Sequence, residues 1–197
     1  MLHVTQNNPF KAIYQKGGWA KLGSGPGSQV KFNTRYIQFL EKFIIHNKIK
    51  SIVDYGCGDW TFSQHIDWKN SQYLGIDCVE DIIAQNRRRF TKPNVQFNLQ
   101  RMEQFNYPSC DLLVVKDVLQ HWDNKTIQKF LQYIKNRQTF ALITNDKNKE
   151  NKNVSMGNCR GIELTAPPFN QQGTYVFYFD SVPNYPWDKI TLLIKAD

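Results

Sequence analysis

Short apolar runs alternate along this chain with segments whose apolar residues recur at helical spacing. Five of these runs predict β-strands, at residues 51–55, 71–76, 94–98, 110–115 and 139–144. Four segments have the periodicity of amphipathic helices, at residues 30–46, 61–66, 80–89 and 124–134. Strands that alternate with helices in this way predict a parallel sheet with helices on both faces.

The last part of the chain breaks this alternation. Residues 175–179 and 189–194 are strand-like runs, with Pro183 and Pro186 between them and no helical segment. Such a pair predicts an antiparallel hairpin at the sheet edge. The expected fold class is therefore α/β: a Rossmann-like doubly wound sheet, mostly parallel, with a C-terminal antiparallel hairpin.

A length of 197 residues fits a single domain. We divide it into an N-terminal arm at residues 1–30, a core at 31–145, and a C-terminal part at 146–197. The arm carries Trp19 in a stretch rich in glycine and serine. This indicates either a lid that closes over a ligand or a disordered leader.

Charge and composition bound the range of functions. The 25 Lys and Arg residues against 17 Asp and Glu give a net charge of +8. A nucleic-acid partner, an anionic small molecule, or charge spread over a solvated surface would each explain it. The one tight basic cluster is 87–89. The apolar runs are too short to cross a bilayer and the N-terminus lacks a signal-peptide pattern, so a cytoplasmic protein is expected.

Metal chemistry is not expected from this sequence. The four cysteines contain no CxxC pair, and the carboxylates are isolated along the chain. Structural zinc sites usually need closely paired cysteine or histidine ligands. We therefore predict no metal site.

The ends of the first two predicted strands carry polar residues suited to a nucleoside cofactor. Asp54 ends an apolar run and precedes Gly56 and Gly58, while Asp77 ends the second strand. Glycines let the backbone approach a ligand closely, and an acid at the end of the second strand can bind ribose hydroxyls. Asp59 places negative charge where a pyrophosphate would sit, which disfavours NAD and FAD. A cofactor with a sulfonium cation and an amino-acid group is not disfavoured.

These motifs resemble those of class I S-adenosylmethionine-dependent methyltransferases. Residues 53–58 and 75–77 look like motif I and the acid that follows it, and 111–122 is similar to the motif IV region. The resemblance implies a methyltransferase with S-adenosylmethionine as cofactor and S-adenosylhomocysteine as product.

A narrower resemblance rests on Trp19 with residues 23–28, on 59–63, and on 116–122. These segments look like those of a small bacterial subgroup that accompanies surface-polysaccharide genes, including capsule phosphoramidate pathways. It implies a role in capsule biosynthesis.

The resemblance to the methyltransferases also implies roles for single residues. Asp77 would bind the ribose, Lys116 would offer its carbonyl to the cofactor's amino group, and Asp54 would orient the glycine loop or contact that amino group. The acid usually found after the third strand is missing, the nearest being Glu103, so backbone groups are expected to recognise the adenine. The other cofactor-binding candidates come from the glycine loop, the adenine-facing segments and the arm: Gly56, Gly58, Cys78, Val79, Arg101, Met102, Trp19 and Ser24.

His121 is the candidate general base, because an ordinary histidine titrates near neutral pH. Asp117 lies four residues earlier and would share a helix face with it if 117–122 opens a helix; it would then orient His121 or act on the substrate. The alternative for His121 is simple packing beside Trp122.

Three residues are candidates for contact with the methyl acceptor. Tyr14 lies in the arm, Asp146 ends the fifth strand, and Arg160 follows it. Arg160 would grip a phosphate or carboxylate, or pair with Glu163 instead. Asp146 would touch the acceptor or cap a turn.

The function expected from these residues is O-methylation of a small polar acceptor, which can be anionic. A sugar or phosphoramidate of a capsule precursor is the example that the narrower resemblance suggests. The alternative is an RNA or DNA methyltransferase, based on the positive charge. A cofactor-binding subunit without catalytic activity is the third interpretation.

Overall fold

The structure is a computed structural model that describes residues 8–21, 23–102, 104–135, 137–180 and 188–196. Pro183 and Pro186 of the predicted hairpin connection lie outside the described residues, as does Glu103. The described part of the chain contains four α-helices: α1 Pro9–Gln15, α2 Val30–His46, α3 Glu80–Arg89 and α4 Asn124–Tyr133. It also contains seven strands: β1 Ser51–Tyr55, β2 Gln72–Asp77, β3 Val95–Leu99, β4 Cys110–Lys116, β5 Gln138–Asp146, β6 Thr174–Phe179 and β7 Lys189–Lys195.

The strands form one sheet in the order β3-β2-β1-β4-β5-β7-β6. Strands β1 to β5 pair in parallel, and β7 pairs antiparallel with both β5 and β6. The predicted α/β sheet with an antiparallel C-terminal hairpin is confirmed. Because the parallel strands share one direction, their carboxyl ends meet at one edge, which is where ligands bind in open α/β sheets.

Helices cover the sheet on both faces. On one face, Ile127 and Phe130 of α4 pack with Leu113 of β4 in a buried cluster. On the other face, Tyr36 and Leu40 of α2 pack in a second cluster with the opposite side chains of the strands. The apolar runs of β4 and β5 are buried on both sides, which explains why they read as continuous rather than alternating hydrophobic segments.

Two local features differ from the sequence-based expectation. The helix predicted at 61–66 is only a short 3-10 turn, Ser63–His65. Trp60 adopts a left-handed conformation (φ 58°), and the Thr61 backbone donates to Asp59 Oδ1 (3.2 Å), so the chain turns before a longer helix can form. The second feature is α1, a helix in the arm that was not expected from the sequence. Asn8 caps this helix, and its side chain accepts a hydrogen bond from the Phe10 backbone (3.0 Å).

Among the described residues, no helix combines the length and apolar character needed to span a membrane.

Candidate active site

A cavity opens at the carboxyl ends of β1, β2 and β4 and is closed on one side by the arm. Twelve of the sixteen residues predicted from the sequence line it: Tyr14, Trp19, Ser24, Asp54, Gly56, Gly58, Asp77, Cys78, Met102, Lys116, Asp117 and His121. The structure therefore brings together the glycine loop, the second-strand acid, the motif after β4 and the arm. Their individual roles stay predictions.

The glycine loop depends on backbone conformations that only glycine adopts easily. Gly56 and Gly58 have φ values of 80° and 55°. A side chain at Gly56 would collide with Val118, and one at Gly58 would collide with Ser24 of the arm. The loop thus passes close to Val118 and to the arm, while its predicted close approach to a ligand stays a prediction.

Asp77 joins this loop to the end of β2. Its carboxylate accepts hydrogen bonds from the backbone of Gly58 and of Val79, each 3.0 Å long. Burial raises the pKa of Asp77, and these backbone donors oppose that rise. The two backbone donors therefore fix the orientation of the carboxyl group at the cavity wall.

Asp54 lies in the cavity wall, but its carboxylate is buried and bound by a side chain of the protein. It is only 5% exposed, and its Oδ2 accepts from the Tyr73 hydroxyl at 2.5 Å. The same hydroxyl accepts from Trp60 Nε1 at 2.8 Å. Burial raises the pKa of Asp54 to about 6. This network favours the loop-orienting role for Asp54 over direct contact with a cofactor amino group.

The arm is fastened to the glycine loop through Ser24. Its hydroxyl accepts from the Asp59 backbone (3.0 Å) and lies 2.7 Å from the Tyr14 hydroxyl. The Ser24 backbone donates in turn to Asp59 Oδ2 (3.1 Å). Residues 8–21 and 23–28 therefore pack against the cavity, which does not fit the disordered-leader alternative.

His121 lies in the cavity wall on a short 3-10 turn, Leu119–His121. Its Nδ1 is 3.1 Å from the carbonyl oxygen of Asn158. Since a carbonyl oxygen only accepts, Nδ1 carries the proton and Nε2 keeps its lone pair. The Trp19 ring packs 5.0 Å from the imidazole, centre to centre. Burial lowers the pKa of His121 to about 4, so the ring is neutral at pH 7.

Asp117 does not open the predicted helix at 117–122. It has a φ of 59°, and a left-handed residue cannot begin a right-handed helix. Its carboxylate binds the ammonium groups of Lys116 (2.5 Å) and Lys189 (2.6 Å). Among the described residues it makes no hydrogen bond to His121. The expectation that Asp117 orients His121 through a shared helix face is therefore corrected.

Asp117 belongs to a buried network of four charged side chains. Lys189 Nζ also binds Asp146 Oδ1 at 2.6 Å, and Lys116 Nζ donates to the Gly27 carbonyl (3.0 Å). Burial alone would raise the pKa of Asp117, but the two ammonium groups outweigh it and lower the pKa to about 2. Asp117 is thus an ionised carboxylate with its charge compensated, which makes it a weak base.

Four predicted site residues lie outside the cavity wall: Val79, Arg101, Asp146 and Arg160. Arg160 donates to four carbonyl or amide oxygens of the chain, among them the carbonyls of Leu119 and Gln120, and not to Glu163. It is 7% exposed, so the expected grip on an anion is replaced by internal hydrogen bonds.

Asp146 is fully buried, and its two oxygens accept from Lys189 and Gln120, so the expected contact with the methyl acceptor is replaced by internal hydrogen bonds. The side chain of Val79 is buried in the core next to Asp77. Arg101 is exposed, and its chain neighbours Gln100 and Met102 line the cavity.

Sequence reasoning missed several residues of the cavity wall, among them Phe10, Gln100 and Trp122. The signal for Phe10 was the Asn8-Pro9 pair, a helix start that would have placed Phe10 on the first turn of α1. No metal-binding group of three or more His, Cys, Asp or Glu side chains is found within the described residues.

Comparison with known proteins agrees with this architecture. Residues 52–137 match a family model described as a methyltransferase domain. No curated protein sequence matches the chain significantly. The match and the fold together identify an enzyme of the methyltransferase class.

Three solved structures illustrate the likeness. The N-methyltransferase NodS from Bradyrhizobium japonicum WM9, in complex with S-adenosyl-l-homocysteine, is 13% identical over 96% of this chain and 99% of that one, with a TM-score of 0.71. TehB from Haemophilus influenzae is 14% identical over 86% and 67%, with a TM-score of 0.62. Magnesium protoporphyrin IX methyltransferase (ChlM) from Synechocystis PCC 6803, with bound SAH, is 10% identical over 83% of each chain, with a TM-score of 0.60. At these identities the likeness shows the fold, which is that of the class I methyltransferases.

Proposed function

We propose that the chain is an O-methyltransferase that uses S-adenosylmethionine to methylate a hydroxyl group of a small polar acceptor. S-adenosylmethionine is the methyl donor of this class, and two of the structural relatives are described with its demethylated product. The observation that carries the proposal is the position of His121. A neutral imidazole with one nitrogen available as acceptor lines the same cavity as Asp77 and the glycine loop.

The described residues fit this cofactor. Asp77 supplies a fixed carboxylate for the ribose hydroxyls. Gln100 lines the cavity and donates its amide hydrogens to the carbonyls of Gln104 (2.6 Å) and Asn106 (2.7 Å). Its Oε1 is buried and has no hydrogen-bond partner among the residues that the structure describes. Such an acceptor suits the exocyclic amino group of an adenine, since a buried polar atom left unpaired costs about 1–3 kcal/mol.

When bound, the cofactor supplies an activated methyl group on a sulfonium. His121 accepts the hydroxyl proton at Nε2 while the acceptor oxygen is methylated, so the oxygen does not become a cation. The arm excludes water from the cavity through the Ser24 bonds, and Trp19 packs on His121. Most of the rate enhancement is expected from alignment, which can contribute roughly 7–11 kcal/mol.

An uncharged hydroxyl suits this cavity better than an anion. The only cationic side chain among its described lining residues is Lys116, and its ammonium already binds Asp117 and the Gly27 carbonyl. Sugars of capsule precursors are therefore the first acceptors to screen, followed by phosphoramidates, as the narrower sequence resemblance suggests. Work on such precursors would take place in the cytoplasm.

The division of labour follows the three parts of the chain. We propose that residues 31–145 bind the cofactor, that residues 1–30 close over it, and that residues 146–197 form the substrate side.

Calorimetry with S-adenosylmethionine and S-adenosylhomocysteine tests the cofactor directly. We expect micromolar binding of both compounds. No binding by the folded protein would overturn the cofactor assignment.

Turnover with methyl-labelled cofactor and a panel of sugars, phosphoramidates and amines then tests the acceptor. Label on a sugar oxygen supports the proposal, whereas label only on an amine would make the chain an N-methyltransferase.

A further inference from the structure

The turn that carries His121 is bound along its length by a second segment, residues 157–160. Two backbone hydrogen bonds join the pair, from Gly157 to the His121 carbonyl (2.9 Å) and from Arg160 to the Gln120 carbonyl (3.2 Å). The Asn158 carbonyl accepts from His121 Nδ1. The segment therefore holds both the backbone and the ring of His121.

Arg160 is the side chain that fixes this pairing. Its Nη1 donates to the carbonyls of Leu119 (3.1 Å) and Gln120 (2.9 Å), on the turn itself. Its Nη2 donates to Asn124 Oδ1 (2.8 Å), and its Nε to the Lys152 carbonyl (3.0 Å). One guanidinium thus joins the turn, the start of α4 and the segment that supplies the Asn158 carbonyl.

The geometry of a guanidinium is needed for this contact. Its donors form a planar fork that reaches several acceptors at once, whereas a lysine ammonium is a point charge on a flexible stem. Burial lowers the pKa of Arg160 to about 10, so the group stays charged at neutral pH. Arg160 is only 7% exposed, and its charge is stabilised by the dipoles of the carbonyl groups that it binds.

The opposite side of the turn is held by a different bond. Gln120 Nε2 donates to Asp146 Oδ2 (2.9 Å), and the Asp146 backbone donates back to Gln120 Oε1 (2.9 Å). The turn that carries the imidazole of His121 is thus held by β5 on one side and by the 157–160 segment on the other. Nδ1–H points to Asn158, and Nε2 is the nitrogen left to accept a proton.

We propose that Arg160 is a positioning residue for His121: by tying the 157–160 segment to the 119–121 turn, it fixes the imidazole as the Nδ1–H tautomer. This inference rests on the proposed function, in which Nε2 of His121 accepts the hydroxyl proton. It assigns to Arg160 a role in the reaction that requires no contact with cofactor or acceptor.

Nitrogen-15 NMR of the imidazole rings tests the tautomer without any substrate. The wild type should show one histidine, identified by its absence in His121→Asn, with Nδ1 protonated and Nε2 unprotonated at pH 7. In Arg160→Lys and Arg160→Met that signal should shift to a mixture of tautomers. The matched controls Arg88→Lys and Arg88→Met, at an exposed arginine of α3, should leave it unchanged. An unaltered His121 signal in both folded Arg160 variants would overturn the proposal.

Kinetics give the second readout. We expect kcat to fall about 10- to 100-fold in Arg160→Lys, because small displacements of a reacting group have effects of that size. Affinity for S-adenosylhomocysteine should stay within about twofold, and added guanidinium should restore part of the activity of Arg160→Ala. A loss explained wholly by weaker cofactor binding would contradict a positioning role. Failure of the proposed function is distinguished by His121→Ala with unchanged turnover, an outcome that leaves the NMR result standing.

Discussion

Replacing Tyr73 by phenylalanine removes the buried hydroxyl that joins Asp54 to Trp60 beneath the glycine loop. That hydroxyl donates to Asp54 at 2.5 Å and accepts from Trp60 Nε1 at 2.8 Å, and all three residues are at most 5% exposed. A hydrogen bond to a charged group contributes about 1.5–3 kcal/mol, and an unsatisfied buried donor costs about 1–3 kcal/mol. The substitution should therefore lower the free energy of unfolding by roughly 3–5 kcal/mol at pH 8.

The size of this effect should depend on pH in a defined direction. Burial raises the pKa of Asp54 to about 6, so the native state binds a proton that the unfolded state releases nearer pH 4, and stability falls as pH rises through that window. Loss of the Tyr73 donor raises the pKa of Asp54 further and extends the window upward. The destabilisation should thus be smaller at pH 5, where Asp54 is protonated in both proteins.

Thermal and urea unfolding at pH 5 and pH 8 measure both quantities. For a chain of this size, each kcal/mol shifts Tm by about 2–4 °C, so Tm should drop by roughly 10 °C at pH 8. Tyr175→Phe is the matched control, since that ring is 39% exposed and its hydroxyl bonds at the surface; it should change stability by less than about 0.5 kcal/mol. Equal destabilisation at both pH values would refute the assignment of the raised pKa to Asp54.

Four further outcomes are expected. Because burial keeps His121 neutral, turnover should stay flat from pH 8 to about 5 and fall only as the pH approaches 4. In His121→Ala, kcat should fall about 10²- to 10⁴-fold and this decrease at acid pH should disappear. A decrease in turnover centred near pH 6.5 would count against His121 as a buried, neutral base. Asp77→Asn should weaken S-adenosylhomocysteine binding about 10- to 100-fold by calorimetry, while Asp81→Asn on the exposed side of α3 should not. Ser24→Ala should weaken the same affinity about fivefold or more through release of the arm, and unchanged affinity would mean that the arm does not close the site. Nucleic acid should not bind even at low salt, and binding that falls steeply with salt would favour the nucleic-acid alternative.

The central part of the sheet was predictable because β1, β2 and β4 are apolar runs whose carboxyl ends carry polar residues. Asp54 and Asp77 reached the cavity as predicted, since the parallel pairing of β1 with β2 sets Tyr55 against Ile76 and so aligns their ends. Local order alone was enough for this part. It was also enough to place Asp117 and His121 near the same wall.

The internal bonds of the site were not predictable in the same way. Lys189 binds Asp117 from 72 positions away, and Arg160 binds the carbonyl of Leu119 from 41 positions away. Both pairings depend on how the C-terminal part folds back over the sheet, and no periodic pattern encodes that. The role assigned to Arg160 from its residue type failed because the backbone supplied the acceptors that a ligand was expected to supply.

The position of β7 in the sheet has a consequence for how the protein folds. β7 follows β6 in the chain and yet lies between β5 and β6, pairing with β5 from Phe140 to Asp146. Until residues 189–195 pair with it, β5 is an unpaired and strongly apolar edge strand. Its Leu142 and Ile143 are opposite Leu193 and Leu192 in the native register. Such an edge is a template for pairing with another chain. The slow step in refolding, and the one most sensitive to protein concentration, should therefore be insertion of this strand, so that conditions or chaperones that shield the edge raise the yield.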